Sequence, residues 1–233
     1  MSINCYLAMT AAEFSCAEKL PENFAYMACH FSCYGTGLSN IPSKLPPDSM
    51  VIVNDRTPLQ GHDPGQIATQ LSDLAENFNA SRFLLDFQRP ENSETKRLVE
   101  ILIKELPCGV GVTDYYAENL PCPVFLPPPP PHVPLKEHLK PWSGREVWLE
   151  AALAFEKITV KADGSHFEEC VMETLPDNAF TDSTLHCRYS INVSENCATF
   201  SLVRDRENLS KLLEEAETLG VSLAVGLYQQ LGI

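Results

Sequence analysis

Short apolar runs punctuate the chain, and several are followed by apolar residues at helical spacing. Ile3–Met9 (INCYLAM), Phe24–Phe31 (FAYMACHF) and Met50–Asn54 (MVIVN) read as the first three strands, with a loop rich in Gly, Ser and Pro at 34–47. Asp63-Pro64 then predicts a helix start, Asp63 at the N-cap and Pro64 in the first helical position. Ile67, Leu71, Leu74 and Phe78 give that helix one apolar face. Arg82–Phe87 is the fourth strand, and a second helix opens at Asn92 or Ser93 with Leu98, Ile101, Leu102 and Leu106 inward. Gly109–Thr113 and Cys122–Leu126 follow as strands five and six, the latter running into the prolines Pro127–Pro131. Arg145–Ala152 is the seventh.

Between 153 and 204 the period changes to two. LAFEKITVKADGSHF alternates and turns at Asp163-Gly164, and HCRYSIN pairs with CATFSLV around Ser194-Glu195-Asn196. Asn208–Gly220 returns to helical spacing, with Leu209, Leu212, Leu213, Ala216 and Leu219 inward and Gly220 closing the helix. Val221–Leu227 is the eighth strand. This order predicts an α/β fold: an irregular, pruned (β/α)8 TIM barrel spanning 1–233 as one domain, with an antiparallel β insertion at about 153–204 before the last helix and strand. Helices after strands one, two and five are expected to be short or missing. An open α/β sheet is the competing fold, but no Gly-rich turn follows an early strand in the dinucleotide-binding pattern.

At 44% hydrophobic residues the chain can bury a sizeable core, and its net charge of −14 disfavours phosphate backbones and anionic membrane surfaces. A neutral ligand is compatible with that charge. The nine cysteines are scattered, and the close pair Cys29 and Cys33 has no second pair beside it, so a disulfide framework, a metal site and a cofactor are not expected. The start, MSINCYLAM, lacks a basic segment followed by a long apolar stretch, and no apolar run reaches membrane-spanning length. A cytoplasmic protein is expected; no protein partner can be named.

Residues 83–90, F-L-L-D-F-Q-R-P, form an apolar strand ending in polar groups. Asp86 and Gln88 share one face of it, at the end where barrels keep their chemistry. These pieces in this order resemble the chitinase-like family 18 glycoside hydrolases. Their fourth strand ends D-x-x-D-x-D-x-E, commonly closing D-W-E-Y-P, and D-F-Q-R-P stands in that place here. FAYMACHF resembles the family's second strand and MVIVN its third. ENLSKLLEEAETLGVSLAVGLYQQLG resembles its last helix and strand, and the strands before it resemble the small α+β insertion. Of the four acidic motif positions only Asp86 matches; Ser81, Leu84 and Gln88 occupy the others, and Phe125-Leu126-Pro127 replaces the family's Met-x-Tyr-Asp. The resemblance implies a reaction in which the Glu protonates the glycosidic oxygen while the substrate's N-acetyl carbonyl attacks. Asp86 keeps the orienting role of the motif's Asp. Gln88 has no titrating proton, and general acid catalysis is worth roughly 10²–10⁴-fold, so that reaction is expected to be lost.

Other carboxyls lie at strand ends: Asp55, Asp114, Glu118 and Glu150. Asp86 with Glu150 is the best candidate catalytic pair, with Trp148 nearby to stack on a sugar. Gln88, Tyr115, Tyr228, Asp55, Arg56 and His30 are candidate ligand contacts, and Trp142 and Tyr116 further aromatic surface. The structural alternatives are that Asp86 accepts from Arg56 or Arg89, that Glu150 pairs with Arg145, and that His30 and His62 are hydrogen-bonded core residues. Pro127–Pro131 reads as a rigid wall beside the mouth or as a polyproline II docking segment. Three functions follow: a non-hydrolytic barrel binding a neutral glycan at the C-terminal mouth, a hydrolase using Asp86 and Glu150, or an interaction scaffold.

Overall fold

The computed structural model describes residues 3–90, 92–170 and 174–232. It runs β1 (Asn4–Met9), α1 (Ala11–Cys16), β2 (Phe24–Phe31), β3 (Leu38–Ser39), β4 (Met50–Asn54), α2 (Pro64–Phe78), β5 (Arg82–Asp86), α3 (Ser93–Glu105), β6 (Gly109–Thr113), α4 (Asp114–Ala117) and β7 (Val124–Leu126). Then come α5 (Leu135–Leu139), a 3-10 turn at Lys140–Trp142, β8 (Val147–Ala151), β9 (Ala154–Lys161), β10 (His166–Glu169) and β11 (Phe180–Asp182). β12 (Cys187–Val193), β13 (Cys197–Arg204), α6 (Arg206–Thr218), β14 (Leu223–Leu227) and α7 (Tyr228–Leu231) complete it.

Strands β1, β2, β4, β5, β6, β7, β8 and β14 pair in parallel around a ring that closes where β1 meets β2. The expected (β/α)8 barrel is therefore present, pruned as expected: a short α1 follows the first barrel strand and a short α4 follows the fifth. The N-terminal signals act as read. Asp63 Oδ1 accepts from Gly65 N at 2.9 Å to start α2, and Asn92 Oδ1 accepts from Thr95 N at 2.9 Å to start α3. Two boundaries differ. Asp205 caps α6, starting it at Arg206 rather than Asn208, since its first turn is polar and carries no apolar period. Leu219 lies past the helix end and is 40% exposed rather than inward.

Alternation on the barrel strands sorts their side chains into two layers. Val124, Leu126, Val147 and Leu149 join the larger core beneath the surrounding helices. Tyr6, Ala8, Met50, Ile52, Leu84, Phe125, Trp148 and Val225 fill the barrel interior. Trp148 is 1% exposed and lies across the barrel against Gly111, where an added Cβ would sit 2.3 Å from the indole.

The insertion is a five-stranded antiparallel sheet in the order β10-β9-β13-β12-β11. Its hairpin at Asp163-Gly164 and its β12–β13 pair fall where the alternation predicted. Arg204, fully buried at the end of β13, ties the sheet to the body by donating to the carbonyls of Pro129, Leu185 and His186 at 2.6, 3.1 and 3.3 Å.

Candidate functional site

A cavity at the C-terminal mouth of the barrel is lined at two levels. Ile52, Leu84, Phe125 and Val225 form an apolar floor, and Asp86 and Glu150 rise above it from the C-terminal ends of β5 and β8. Asn54, Met27, Gln88 and Leu227 complete the rim of a cavity of about 120 Å³. The arrangement follows from the alternation: Leu84 and Trp148 point inward, so Asp86 and Glu150, two residues on, point inward one level higher.

The turn after β5 is tied on every side. Gln88 donates Nε2–H to Asp86 Oδ1 at 2.5 Å. Asp55 is buried, and its two carboxylate oxygens accept from the backbone N–H groups of Gln88 and Arg89 at 3.0 and 2.8 Å. Arg89 returns its guanidinium to the carbonyls of Asp55 and Arg56 at 2.8 and 2.9 Å. Thr113 donates to the Phe87 carbonyl and Tyr116 to the Arg89 carbonyl, each at 3.0 Å. These bonds from Asp55, Arg89, Thr113 and Tyr116 hold the stretch Asp86–Arg89 as a preformed platform.

Burial lifts the Asp86 carboxyl above its ordinary pKa; the Gln88 amide pulls it back in part, and the Asp55 charge adds to the rise. Burial also raises Glu150, and the Asp86 charge raises it further. Both carboxyls are therefore pushed toward their protonated forms, Glu150 by the neighbouring Asp86 charge as well as by burial.

The structure brings together Asp86, Gln88 and Glu150, and it moves the other sequence candidates elsewhere. Asp55 supports the turn from below. Arg56 is exposed, its N–H donating to Asn54 Oδ1 at 3.1 Å. His30 lies within hydrogen-bond distance of the Phe31 carbonyl, 2.8 Å from Nδ1, and of the Asn40 amide, 3.2 Å from Nε2, outside the cavity lining. His62 Nε2 is 3.0 Å from the Ser32 carbonyl. Tyr115 is 68% exposed on a separate surface with Asp114, Glu118 and Trp142, and Tyr228 packs against the outer core. Trp148 is a core residue rather than a sugar platform, donating its indole N–H to Glu146 at 3.0 Å.

Neither proposed ion pair forms. Among the described residues Asp86 has no cationic partner. Arg145 donates instead to the carbonyls of Ala117, Glu118, Leu120 and Cys122. The proline run is built into the body: the Pro129 carbonyl accepts from Arg204, and the Pro127 carbonyl lies 2.9 Å from His138 Nε2. Cys29 is buried and Cys33 exposed, and no cluster of metal-ligating side chains occurs among the described residues. No helix among them is long and apolar enough to cross a membrane. Sequence reasoning left out Met27, Asn54 and Leu227 as rim residues. Asn54 was findable, since it ends the strand beside β5 and pairs in register with Asp86.

No protein-family model matches the chain, and no curated protein matches it. Solved structures do. A GH18 chitinase from Cycas revoluta, a double mutant with one Glu replaced by Gln and in complex with (GlcNAc)4, superposes with a TM-score of 0.60 at 9% identity, covering 97% of this chain and 95% of that one. The spore cortex-lytic enzyme SleL of Bacillus cereus gives 0.58 at 12% identity, covering 97% of this chain and 70% of that one. A chitinase from Chromobacterium violaceum gives 0.58 at 8%, covering 99% and 95%. At these identities the likeness establishes the fold, a chitinase-type barrel.

Proposed function

We propose that this chain is a carbohydrate-binding barrel that seats a neutral glycan at its C-terminal mouth and does not hydrolyse it by the chitinase reaction. One observation carries the reading: Gln88, at the position of the motif's proton donor, is fixed by its amide onto Asp86 on a turn whose Gln88 and Arg89 backbone N–H groups are both held by the buried Asp55 carboxylate. A mouth whose acid is lost but whose framework is intact fits binding better than decay. The Cycas revoluta enzyme in complex with (GlcNAc)4 also carries Gln in place of one Glu, so such a change is compatible with a bound oligosaccharide in that fold. At about 120 Å³ the cavity is below the roughly 300–1,000 Å³ of small-molecule sites, so it takes the edge of one ring while the rest of a glycan lies over the open rim.

Calorimetric titration of the full chain with (GlcNAc)3 and (GlcNAc)4 tests this. Saturable binding, weakened at least tenfold by Asp86→Ala and with no product released, is expected. Absence of binding both here and on a broad glycan array would overturn it. A second reading is favoured by the raised carboxyl of Glu150: Glu150 as proton donor and Asp86 as carboxylate form a relocated pair of the kind that cleaves glycosides. Glycan cleavage abolished by Glu150→Gln would establish that reading over the first.

A further inference from the structure

The mouth is not the roomiest cavity. At the opposite end of the barrel, where β8 and β14 begin, a cavity of about 420 Å³ opens between the segment 136–147 and the end of α6. That volume lies within the roughly 300–1,000 Å³ typical of small-ligand sites. Its floor is apolar, from Leu139, Val147, Leu219 and Val221. Leu219 is 40% exposed there because α6 ends at Thr218 and turns the side chain out of the helix stripe.

The charge at its rim is opposite to that of the molecule. Lys136, Lys140 and Arg145 face one carboxylate, Glu137, in a chain of net charge −14. Lys136 is exposed and has no partner among the described residues. Lys140 reaches Glu137 at 3.5 Å, an exposed pair of little worth. Arg145 spends its donors on neutral backbone carbonyls and stacks on Trp142 at 5.9 Å, so it forms no ion pair among the described residues. The C-terminal end of α6 opposes this with roughly half a negative charge. Two of its carbonyls are tied off, Val221 N donating to Ala216 O at 2.9 Å and Gly220 N to Glu217 O at 3.1 Å, and the lining side chains carry three cations against one carboxylate.

We propose that this underside cavity binds a small amphipathic anion, a carboxylate or phosphate monoester with a short apolar body. The body lies on Leu139, Val147, Leu219 and Val221, and the anionic end meets Lys136 and Lys140. The N-terminal face of such barrels ordinarily serves stability; here it carries a site separate from the mouth and independent of glycan binding.

The test is an amide NMR titration of the full chain with octanoate, octyl phosphate and octan-1-ol, all below their aggregation limits. Octanoate and octyl phosphate are expected to give saturable shifts confined to 136–147 and 219–221, with octan-1-ol at least tenfold weaker. Lys136→Glu with Lys140→Glu is expected to weaken the anions at least tenfold and leave octan-1-ol unchanged, while Leu219→Asp weakens all three. All these positions are at the surface, and circular dichroism confirms folding. Absence of saturable shifts, equal binding of octan-1-ol, or indifference to the charge reversal would each overturn the proposal. So would binding to phosphatidylglycerol vesicles without any response to the free acids, which would make the cavity part of a membrane-facing surface.

Discussion

Gln88 donates its side-chain amide to Asp86 across 2.5 Å at the mouth of the barrel. Gln88→Glu turns that donor into an acceptor and sets two carboxyls face to face, so both bind protons more tightly in the folded chain. Groups with raised folded-state pKa values lose stability as pH rises through them. The variant is expected to melt below the wild type at about pH 8 and to approach it near pH 4. An equal loss at both pH values would mean that the two side chains are not in contact in solution. The same change restores a titrating proton, and a chromogenic chitobioside is expected to be cleaved faster by roughly the 10²-fold lower limit of general acid catalysis.

The Asp86–Glu150 pair makes its own pH signature. Burial raises both carboxyls, and the Asp86 charge raises Glu150 further. Each binds more protons folded than unfolded between its ordinary value and its raised one, so stability falls as pH rises across that window. Glu150→Gln removes one of these titrations. It is expected to flatten the fall, leaving the variant more stable than the wild type at about pH 7 and similar below the ordinary carboxylate range. Urea midpoints at both ends of the range decide this; a parallel displacement at every pH would rule out Glu150 as the titrating group.

How far the sequence reaches is clear from particular residues. Asp63-Pro64, the hairpin at Asp163-Gly164 and the β12–β13 pair depend on local chemistry and appear where they were expected. Asp86 and Glu150 line one cavity because barrel closure brings strand ends round to a common mouth. Trp148 was misread as mouth surface because both faces of a barrel strand are buried, and alternation alone does not say how deep a side chain sits. Arg145, Arg89 and Asp55 were misassigned for another reason. Their partners are backbone groups of distant loops, set by the chain's path rather than by any side-chain pattern.

Gly111 and Trp148 form a fitted pair inside the barrel. A methyl group at 111 would press on the indole at 2.3 Å, and Trp148 is itself buried among the side chains that fill the barrel. Gly111→Ala is expected to cost about 1–3 kcal/mol through overpacking. Trp148→Phe alone is expected to cost stability by leaving a void, of the order of 1 kcal/mol or more. The double variant should cost less than the sum, because the smaller ring removes the clash. Urea denaturation of the four proteins measures the coupling, and strict additivity would contradict the contact.

Arg204 makes a different kind of prediction, one of place as well as size. It is fully buried, and its guanidinium joins the proline segment at Pro129 to the insertion at Leu185 and His186. Arg204→Met fills similar space but leaves these carbonyls without their donor, at about 1–3 kcal/mol for a buried unsatisfied group, so a loss of roughly 3 kcal/mol is expected. Arg204→Lys keeps the charge, yet an ammonium lacks the planar fork that spans separate acceptors, and it is expected to fall between. A clamp has local consequences that a general loss of packing lacks. Under native conditions, hydrogen exchange should quicken first at the amides of Val133 and Leu185, which bond within the two clamped segments, while Leu85 in the barrel wall follows only the global stability. Uniform acceleration at all three would place Arg204 in the common core instead.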